Sequence, residues 1–316
     1  MKRIAAVAAI GACLAAAQRV TPPREAEDRG VAYLVREVPR WRAEHPCYSC
    51  HNNGDAARAL IAAGRRGHRI GAALDGTLEW LTHPERWDQN KREGGFDDKA
   101  LAHVQFAGGL TSAHDAKLSP SSSAAVAAAA ALVAADQKSD GAWRLDTSQS
   151  IVGSPVTYGS PLVTWSALRT LKAARDRRFD AAIARGETWL RDLQVATVLD
   201  AAAVILALDR ADDARAAAQR ARCLEIIQKG QAPDGGWGPY VTSASEPFDT
   251  AVVLLALTTV RDTSDSIESG RRFLIEHQLE DGSWPETTRP PNQESYAQRI
   301  STSAWALLAL METSPR

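Results

Sequence analysis

The amino-acid sequence predicts an all-α fold in which helical hairpins stack side by side, and a seven-residue repeat is the main reason. The pattern Q-x-x-D-G-x-W occurs at Gln137–Trp143, Gln231–Trp237 and Gln278–Trp284. The last two copies begin 47 residues apart, and the first two begin at twice that spacing. An apolar segment follows each copy. A fixed period of this length is typical of stacked supersecondary units.

Each repeat predicts one outer and one inner helix. The seven-residue pattern is called the box below. The helix before each box is predicted to end at the Asp-Gly turn, because glycine tolerates the left-handed backbone conformation. The helix after the box has an apolar tail, as in TAVVLLAL at 250–257 and SAWALLAL at 303–310. The charged first helix is expected outside and the apolar second helix inside. A shortened fourth copy is predicted around residues 186–194.

The N-terminal third predicts two more hairpins, which have diverged from the repeat. Residues 28–41 and 74–87 are predicted as outer helices. Their inner partners are predicted at 54–67 and 96–110. Together with the four later copies, these give about six hairpins.

The boxes and inner helices such as Thr302–Leu310 resemble the prenyltransferase and squalene-cyclase repeat superfamily from residue 121 to 310. This resemblance implies an α/α toroid whose inner helices surround a central cavity. It does not imply the reaction. The D-x-D-D motif with which squalene–hopene-type cyclases protonate their substrate is absent. Cys223, the one cysteine of the C-terminal half, has no histidine near it, so the zinc site of protein prenyltransferases does not carry over either.

The first residues are typical of an export signal. Lys2 and Arg3 precede an apolar segment at 4–17 that ends in small residues, and prolines follow at once. We therefore expect residues 1–17 to be a signal peptide, 18–115 to form the diverged hairpins and 116–316 the repeats, in one continuous toroid. The expected location is periplasmic or secreted. The net charge of −1 gives no reason to expect a nucleic-acid partner.

Cys47, Cys50 and His51 form a C-x-x-C-H motif, which is typical of covalent c-type haem attachment. The two thiols can add to the porphyrin vinyl groups, and the histidine can bind the iron. Export agrees with this hypothesis. A disulfide, a zinc site and coincidence are the alternatives, although no thioredoxin-like strand pattern and no second ligand pair accompany the motif.

A second iron ligand is harder to predict. The two methionines, Met1 and Met311, lie at the chain ends, so a histidine is the expected ligand if the protein supplies one. His103, in an apolar helix, is the favoured candidate. Each histidine can equally be an ordinary hydrogen-bonded residue; the remaining candidates are His45, His68, His83, His114 and His277.

Asp55, Asp200 and Asp249 precede three predicted inner helices at equivalent positions, and Thr302 occupies the same place in a fourth. Such residues are typical helix N-caps. Asp249 is also a candidate catalytic residue, because the long loop before it could lean over the cavity mouth. The haem is expected on this rim, where the inner helices begin.

The leading prediction is an exported α/α toroid that carries one haem c and serves electron transfer, redox sensing or haem-assisted chemistry. The expected partner of such a protein is a redox partner or a small-molecule substrate. The alternatives are an enzyme of the toroid cavity, acting on an isoprenoid or a polysaccharide without D-x-D-D, and a non-catalytic interaction module.

Overall fold

The computed structural model describes residues 23–45, 47–89, 99–118, 120–144, 155–289 and 295–314. These residues contain α-helices joined by turns, and no β-strand is among them. The expected signal peptide, residues 1–17, lies outside the described residues. No helix within the described ranges is long and apolar enough to cross a bilayer.

The helices alternate between an outer and an inner layer. The outer helices are α1 Pro23–Glu44, α3 Asp75–Leu81, α5 Ser123–Ala135, α7 Asp180–Asp192, α9 Ala214–Gly230 and α11 Ser264–Glu276. The inner helices are α2 Ala57–Arg65, which continues a π-helical segment Cys50–Ala56, α4 Lys99–Asp115, α6 Pro155–Ala173, α8 Val198–Ala207, α10 Pro247–Leu257 and α12 Tyr296–Thr313. Six hairpins result, as the repeat predicted.

The inner elements form a closed ring. Each contacts the next in chain order, and α12 contacts the π-helical segment at the start of the ring. The sequence favours this position because a helix such as α10 is apolar on nearly every side and must bury most of its surface. Ten of its eleven residues are buried. The fold is an all-α toroid.

The box tryptophan packs between neighbouring hairpins, as predicted. Trp237 is fully buried, and its indole N–H donates to the Ile227 carbonyl of α9 at 2.8 Å. Its ring lies against Gly270 of α11, where a methyl group would approach the ring to 2.7 Å. The other two boxes repeat this arrangement, with Trp143 against Gly186 and Trp284 against Gly30.

The box glutamine ties each outer helix to the next one. Gln278 donates from its side-chain amide to the carbonyl of Gly282 in its own box and to that of Ala26 in α1, both at 3.0 Å. Gln231 makes the same pair of bonds, to Gly235 and to Ser266 of α11. Because the last box reaches the first helix, the outer layer closes along with the inner ring.

The N-cap prediction for the aspartates is wrong. The α8 cap is Thr197, whose hydroxyl accepts from the Asp200 N–H at 3.0 Å, so Asp200 lies in the first turn. Asp249 likewise lies in the first turn of α10, after Glu246. Several residues near a helix start can cap it, and spacing alone does not choose among them.

Asp55 and Thr302 are not N-caps either, for a different reason. Asp55 lies inside the π-helical segment and Thr302 in the middle of α12, whose cap is Ser295. Both inner elements begin earlier than the apolar pattern indicates.

Candidate functional site

Asp55 lies at the centre of the ring, 1% exposed. Its Oδ2 accepts hydrogen bonds from the Gln105 amide of α4 at 2.9 Å, from the Ser301 hydroxyl of α12 at 2.7 Å, and from the Tyr158 hydroxyl of α6. Three inner helices therefore converge on one carboxylate. Buried charge is costly unless it is hydrogen-bonded in this way.

Two local features of the chain place these groups. Gly54 lies so close to α4 that a methyl group there would reach the Gln105 carbonyl carbon and oxygen, at 2.8 and 2.7 Å. Asp55 lies on the π-helical segment, a kind of turn that often occurs at functional sites. In α6, Gly159 has a φ of 68° and breaks the helix directly after Tyr158.

Aromatic rings surround the Tyr158 end of the cluster. The Trp305 indole N–H donates to the Tyr158 hydroxyl at 3.0 Å. The rings of Phe248 and His51 lie 5.4 and 6.3 Å from the Tyr158 ring. Burial, followed by the nearby Asp55 charge, raises the pKa of Tyr158 well above its usual value. Tyr158 therefore remains a hydrogen-bond donor at any ordinary pH.

Arg58 separates Asp55 from the open part of the ring. Its Nη1 lies 3.7 Å from Asp55 Oδ1, and its guanidinium lies 4.7 Å from the centre of the Trp305 ring. Burial lowers the pKa of Arg58, and the Asp55 charge partly offsets this effect. A cavity of about 10 Å³, the size of one water molecule, is lined by Asp55, Arg58, Gln105 and Ser166 among others.

A larger cavity of about 300 Å³ opens at the C-terminal ends of the inner helices. All six inner helices contribute to its wall. The contributions of α8, α10 and α12 include Leu206, Leu255 and Leu308. Trp165, Arg58 and Arg169 line it too, and Arg58 also borders the water-sized cavity. An adjoining space of about 360 Å³ shares Trp165 and Arg169. The accessible space thus lies at the end opposite the rim on which the haem was expected.

The C-x-x-C-H residues are packed into the protein. Cys47, Cys50 and His51 are 9%, 4% and 4% exposed, and the Cys50 sulfur lies 3.6 Å from His51 Nδ1. None of them lines the three cavities described above. As packed here, these side chains do not fit a porphyrin, which needs open space beside both thiols. Covalent haem stays a prediction, and no chemical step is derived from it.

His103 is held between two carboxylates. Its Nδ1 lies 2.8 Å from Asp136 and its Nε2 lies 3.2 Å from Asp88. Burial alone would lower its pKa, but hydrogen bonds and charge from Asp136 and Asp88 outweigh burial and raise it. His103 therefore belongs to an ion-paired cluster. Among the described residues, no group of three or more His, Cys, Asp or Glu side chains is arranged so that it could hold a metal ion.

The other histidines also have protein partners. These partners are carboxylates of α1 for His68, Glu79 and Glu85 for His83, the Trp41 carbonyl for His45, the Phe273 carbonyl for His277, and the Ser123 hydroxyl at 3.5 Å for His114.

Asp249, the sequence-based catalytic candidate, is fully buried beside Arg289. Its Oδ2 accepts from Arg289 Nη2 at 2.8 Å, and Glu246 lies 3.2 Å from the same guanidinium. Burial raises the pKa of Asp249 to about 7, although Arg289 counteracts it. Asp249 does not line any of the three cavities described above. The structure does not bring it together with Asp55 in one site.

Known proteins resemble this chain in fold and, at its C-terminal end, in sequence. Residues 196–315 match the squalene-hopene cyclase C-terminal domain. The type II terpene cyclase MstE from Scytonema, as a variant in complex with merosterolic acid A, superimposes with a TM-score of 0.61 at 15% identity, over 92% of this chain and 96% of that one. A protein from Actinoplanes gives 0.57 at 17% identity, over 92% and 99%. The fold is that of the squalene cyclases.

Two curated relatives match part of the chain. Lanosterol synthase erg7A of Aspergillus fumigatus is 35% identical over 111 residues, and lanosterol synthase ERG7 of Saccharomyces cerevisiae is 34% identical over 99. The matches cover 33% and 28% of this chain. They cover 14% and 13% of the relatives, so this chain matches about one seventh of their length.

Sequence reasoning missed most of the central cluster. Arg58, Gln105 and Arg169 lie within predicted inner helices, where side chains turn towards the interior of the ring, and that placement was the available signal. A charged or amide side chain in such a helix must find a buried partner or a cavity. Tyr158 carried no comparable signal, because its position depends on the break at Gly159.

Proposed function

We propose that this chain is a toroid-cavity enzyme that acts on an isoprenoid, with Asp55 as its proton-transfer group. The observation that carries the proposal is the continuous arrangement from the open cavity, past Arg58, to the hydrogen-bonded carboxylate of Asp55. Leucine and tryptophan side chains in the wall suit an apolar substrate. The relatives are named for lanosterol synthesis and terpene cyclisation, which supports an isoprenoid over a polysaccharide.

Asp55 can exchange a proton with the cavity through one water molecule. A proton-transfer group acts either in direct contact or through a single water, and the cavity of about 10 Å³ between Asp55 and Arg58 has that size. Gln105 Oε1, Ser166 and the Asp55 carboxylate supply polar partners for such a water. Tyr158 and Ser301 hold the carboxylate in place, so they act as positioning residues.

The test combines substrate binding with product formation. The purified chain is incubated with squalene, geranylgeraniol and a geranylgeranyl-substituted benzoate, and products are separated by gas chromatography with mass spectrometry. We expect product from at least one of them, and Asp55→Asn should abolish it while quenching of tryptophan fluorescence by the substrate persists. Asp200→Asn, on inner helix α8 outside the cavities, is the matched control. Full turnover by Asp55→Asn, or no binding of any isoprenoid, would refute the proposal.

Covalent haem at Cys47 and Cys50 is tested independently of this activity. If the C-x-x-C-H motif attaches haem as the sequence predicts, chain exported by cells that have a haem-attachment system would gain the mass of one haem. The chain would retain this mass after denaturation and acid–acetone extraction. Substitution of both cysteines by alanine should remove the added mass. An unmodified mass in the exported wild-type chain would contradict the haem prediction and leave the cavity proposal untouched.

A further inference from the structure

We propose that Arg58 and Arg169 form an anion site at the inner end of the central cavity, and that the substrate carries a carboxylate or phosphate head on its isoprenoid chain. This inference rests on the proposed function, because it names the chemical class of the substrate for the same cavity. It requires no change in the fold, since both side chains already line the cavity of about 300 Å³.

The two guanidinium groups share one aromatic neighbour. Arg58 lies 5.8 Å and Arg169 lies 5.1 Å from the centre of the Trp165 ring. Contact with an aromatic ring stabilises a guanidinium but leaves its charge in place. Trp165 also lines the cavity, so an anion between the two arginines would lie close to its indole.

The described protein supplies too little negative charge for both cations. Arg58 has Asp55 at 3.7 Å, so this one carboxylate is the close counter-charge of only one of the two cations. Arg169 has no carboxylate within 4 Å among the described residues; Asp115 acts on it from a greater distance. Asp115 and Glu312 also line the cavity, but both are exposed to solvent.

Like charges held close together are unfavourable when they are shielded from water. Burial, followed by the charge of Arg58, lowers the pKa of Arg169 to about 10. An anion that accepts hydrogen bonds from both guanidinium groups would relieve this repulsion. Arginine suits the task because its planar donors match the oxygens of a carboxylate or a phosphate.

The arrangement also orients the substrate. With its anionic head at the arginines, the apolar chain would extend along the three leucines of the wall towards the mouth. A neutral isoprenoid would leave Arg169 without a carboxylate within 4 Å among the described residues. The cavity should therefore prefer an amphiphile to a neutral hydrocarbon such as squalene.

Three ligands of equal chain length test the inference. Farnesoic acid, farnesyl diphosphate and farnesol carry a carboxylate, a phosphate head and a neutral hydroxyl, and their affinities can be measured by calorimetry and by quenching of tryptophan fluorescence. We expect at least one anionic ligand to bind roughly 10- to 100-fold more tightly than farnesol, as hydrogen bonds to charged groups allow. Whichever of the two binds more tightly identifies the head group.

Arg169→Met keeps the length of the side chain and removes the charge, so it should abolish the preference for the anion and leave farnesol binding unchanged. Arg177→Met, at a side chain 98% exposed on the outer surface, is the control and should change neither. Equal affinities for all three ligands, or an unchanged preference in a folded Arg169→Met protein, would overturn the inference. Anion-selective binding without product formation would instead uphold the inference and refute the proposed reaction.

Discussion

In the C-terminal hairpins each box ties one outer helix to the next, whereas the N-terminal hairpins, residues 23–118, contain no box. Asparagines of the π-helical segment make the connections there. Asn52 donates from its side chain to the Val38 carbonyl of α1 at 3.1 Å, and Asn53 donates to the Thr77 hydroxyl of α3 at 2.8 Å. Inner and outer layers are thus joined by individual polar contacts in place of a repeated motif.

The two regions also differ in what individual inner elements bury. All seven residues of the π-helical segment are buried, and they include Asn52, Asn53 and Asp55. In α8, by contrast, every fully buried residue is apolar. The diverged part of the chain contributes Asp55 and Arg58 to the site, and the periodic part contributes Tyr158 from α6 and Ser301 from α12.

The largest expected effect lies in the boxes. Trp237→Ala should lower the free energy of unfolding by about 3–5 kcal/mol, because a fully buried ring is lost between two hairpins. Trp143→Ala and Trp284→Ala should behave alike, since all three rings have equivalent contacts. Trp41 of α1, which is only partly buried, is the comparison from the N-terminal region. Trp41→Ala should lower the free energy of unfolding by less than the box variants do. Urea denaturation measures all four, and equal losses would mean that the boxes carry no special share of stability.

The buried carboxyl group of Asp249 extends the comparison to pH. Asp249 has one oxygen, Oδ1, without a hydrogen-bond partner among the described residues, and its pKa is raised to about 7 from 3.8. A raised carboxyl pKa means that the folded state holds the proton more tightly than the unfolded state. Its contribution therefore favours folding at low pH and declines as pH rises from about 4 to about 7.

The variant Asp249→Asn should remove this decline. The difference in unfolding free energy between wild type and variant should change by a few kcal/mol at most across that window, and stay constant above it. Chemical denaturation at closely spaced pH values measures the difference. A difference that does not vary with pH would show that Asp249 is ionised in the folded protein throughout. Asp200→Asn, in the first turn of α8, provides the comparison variant.

Glycine substitutions sharpen the contrast between the two regions. Gly270→Ala should destabilise by about 1–3 kcal/mol, because the added methyl group would lie 2.7 Å from the Trp237 ring and 2.9 Å from Leu254. Gly76 of α3 has open space around it, so Gly76→Ala should stabilise by up to about 1 kcal/mol through helix propensity. Thermal melts measure the stability of both variants. A lower melting temperature in both would show that Gly76 has a role in helix α3 that the open space around it does not reveal.

The sequence predicted the toroid well because its determinants recur. Each box repeats the same glutamine, glycine and tryptophan, so three copies could be compared with one another. The site could not be predicted in this way, since Asp55, Arg58 and Tyr158 each occur once. A π-helical turn has no sequence signature, and the break at Gly159 is visible only in the backbone. Motif matching favoured Cys47, Cys50 and His51, but a motif does not indicate whether its side chains will be buried.

The smallest expected effect concerns the start of α8, where two residues could have capped the helix. Thr197→Ala removes the hydroxyl that accepts from the Asp200 N–H, and should cost about 0.5–2 kcal/mol. Asp200→Asn should be nearly silent at neutral pH, because the Thr197 cap is retained. Urea denaturation of both variants compares them directly. A larger loss from Asp200→Asn than from Thr197→Ala would restore the aspartate as the cap, and with it the equivalence of Asp200 and Asp249 that the repeat first indicated.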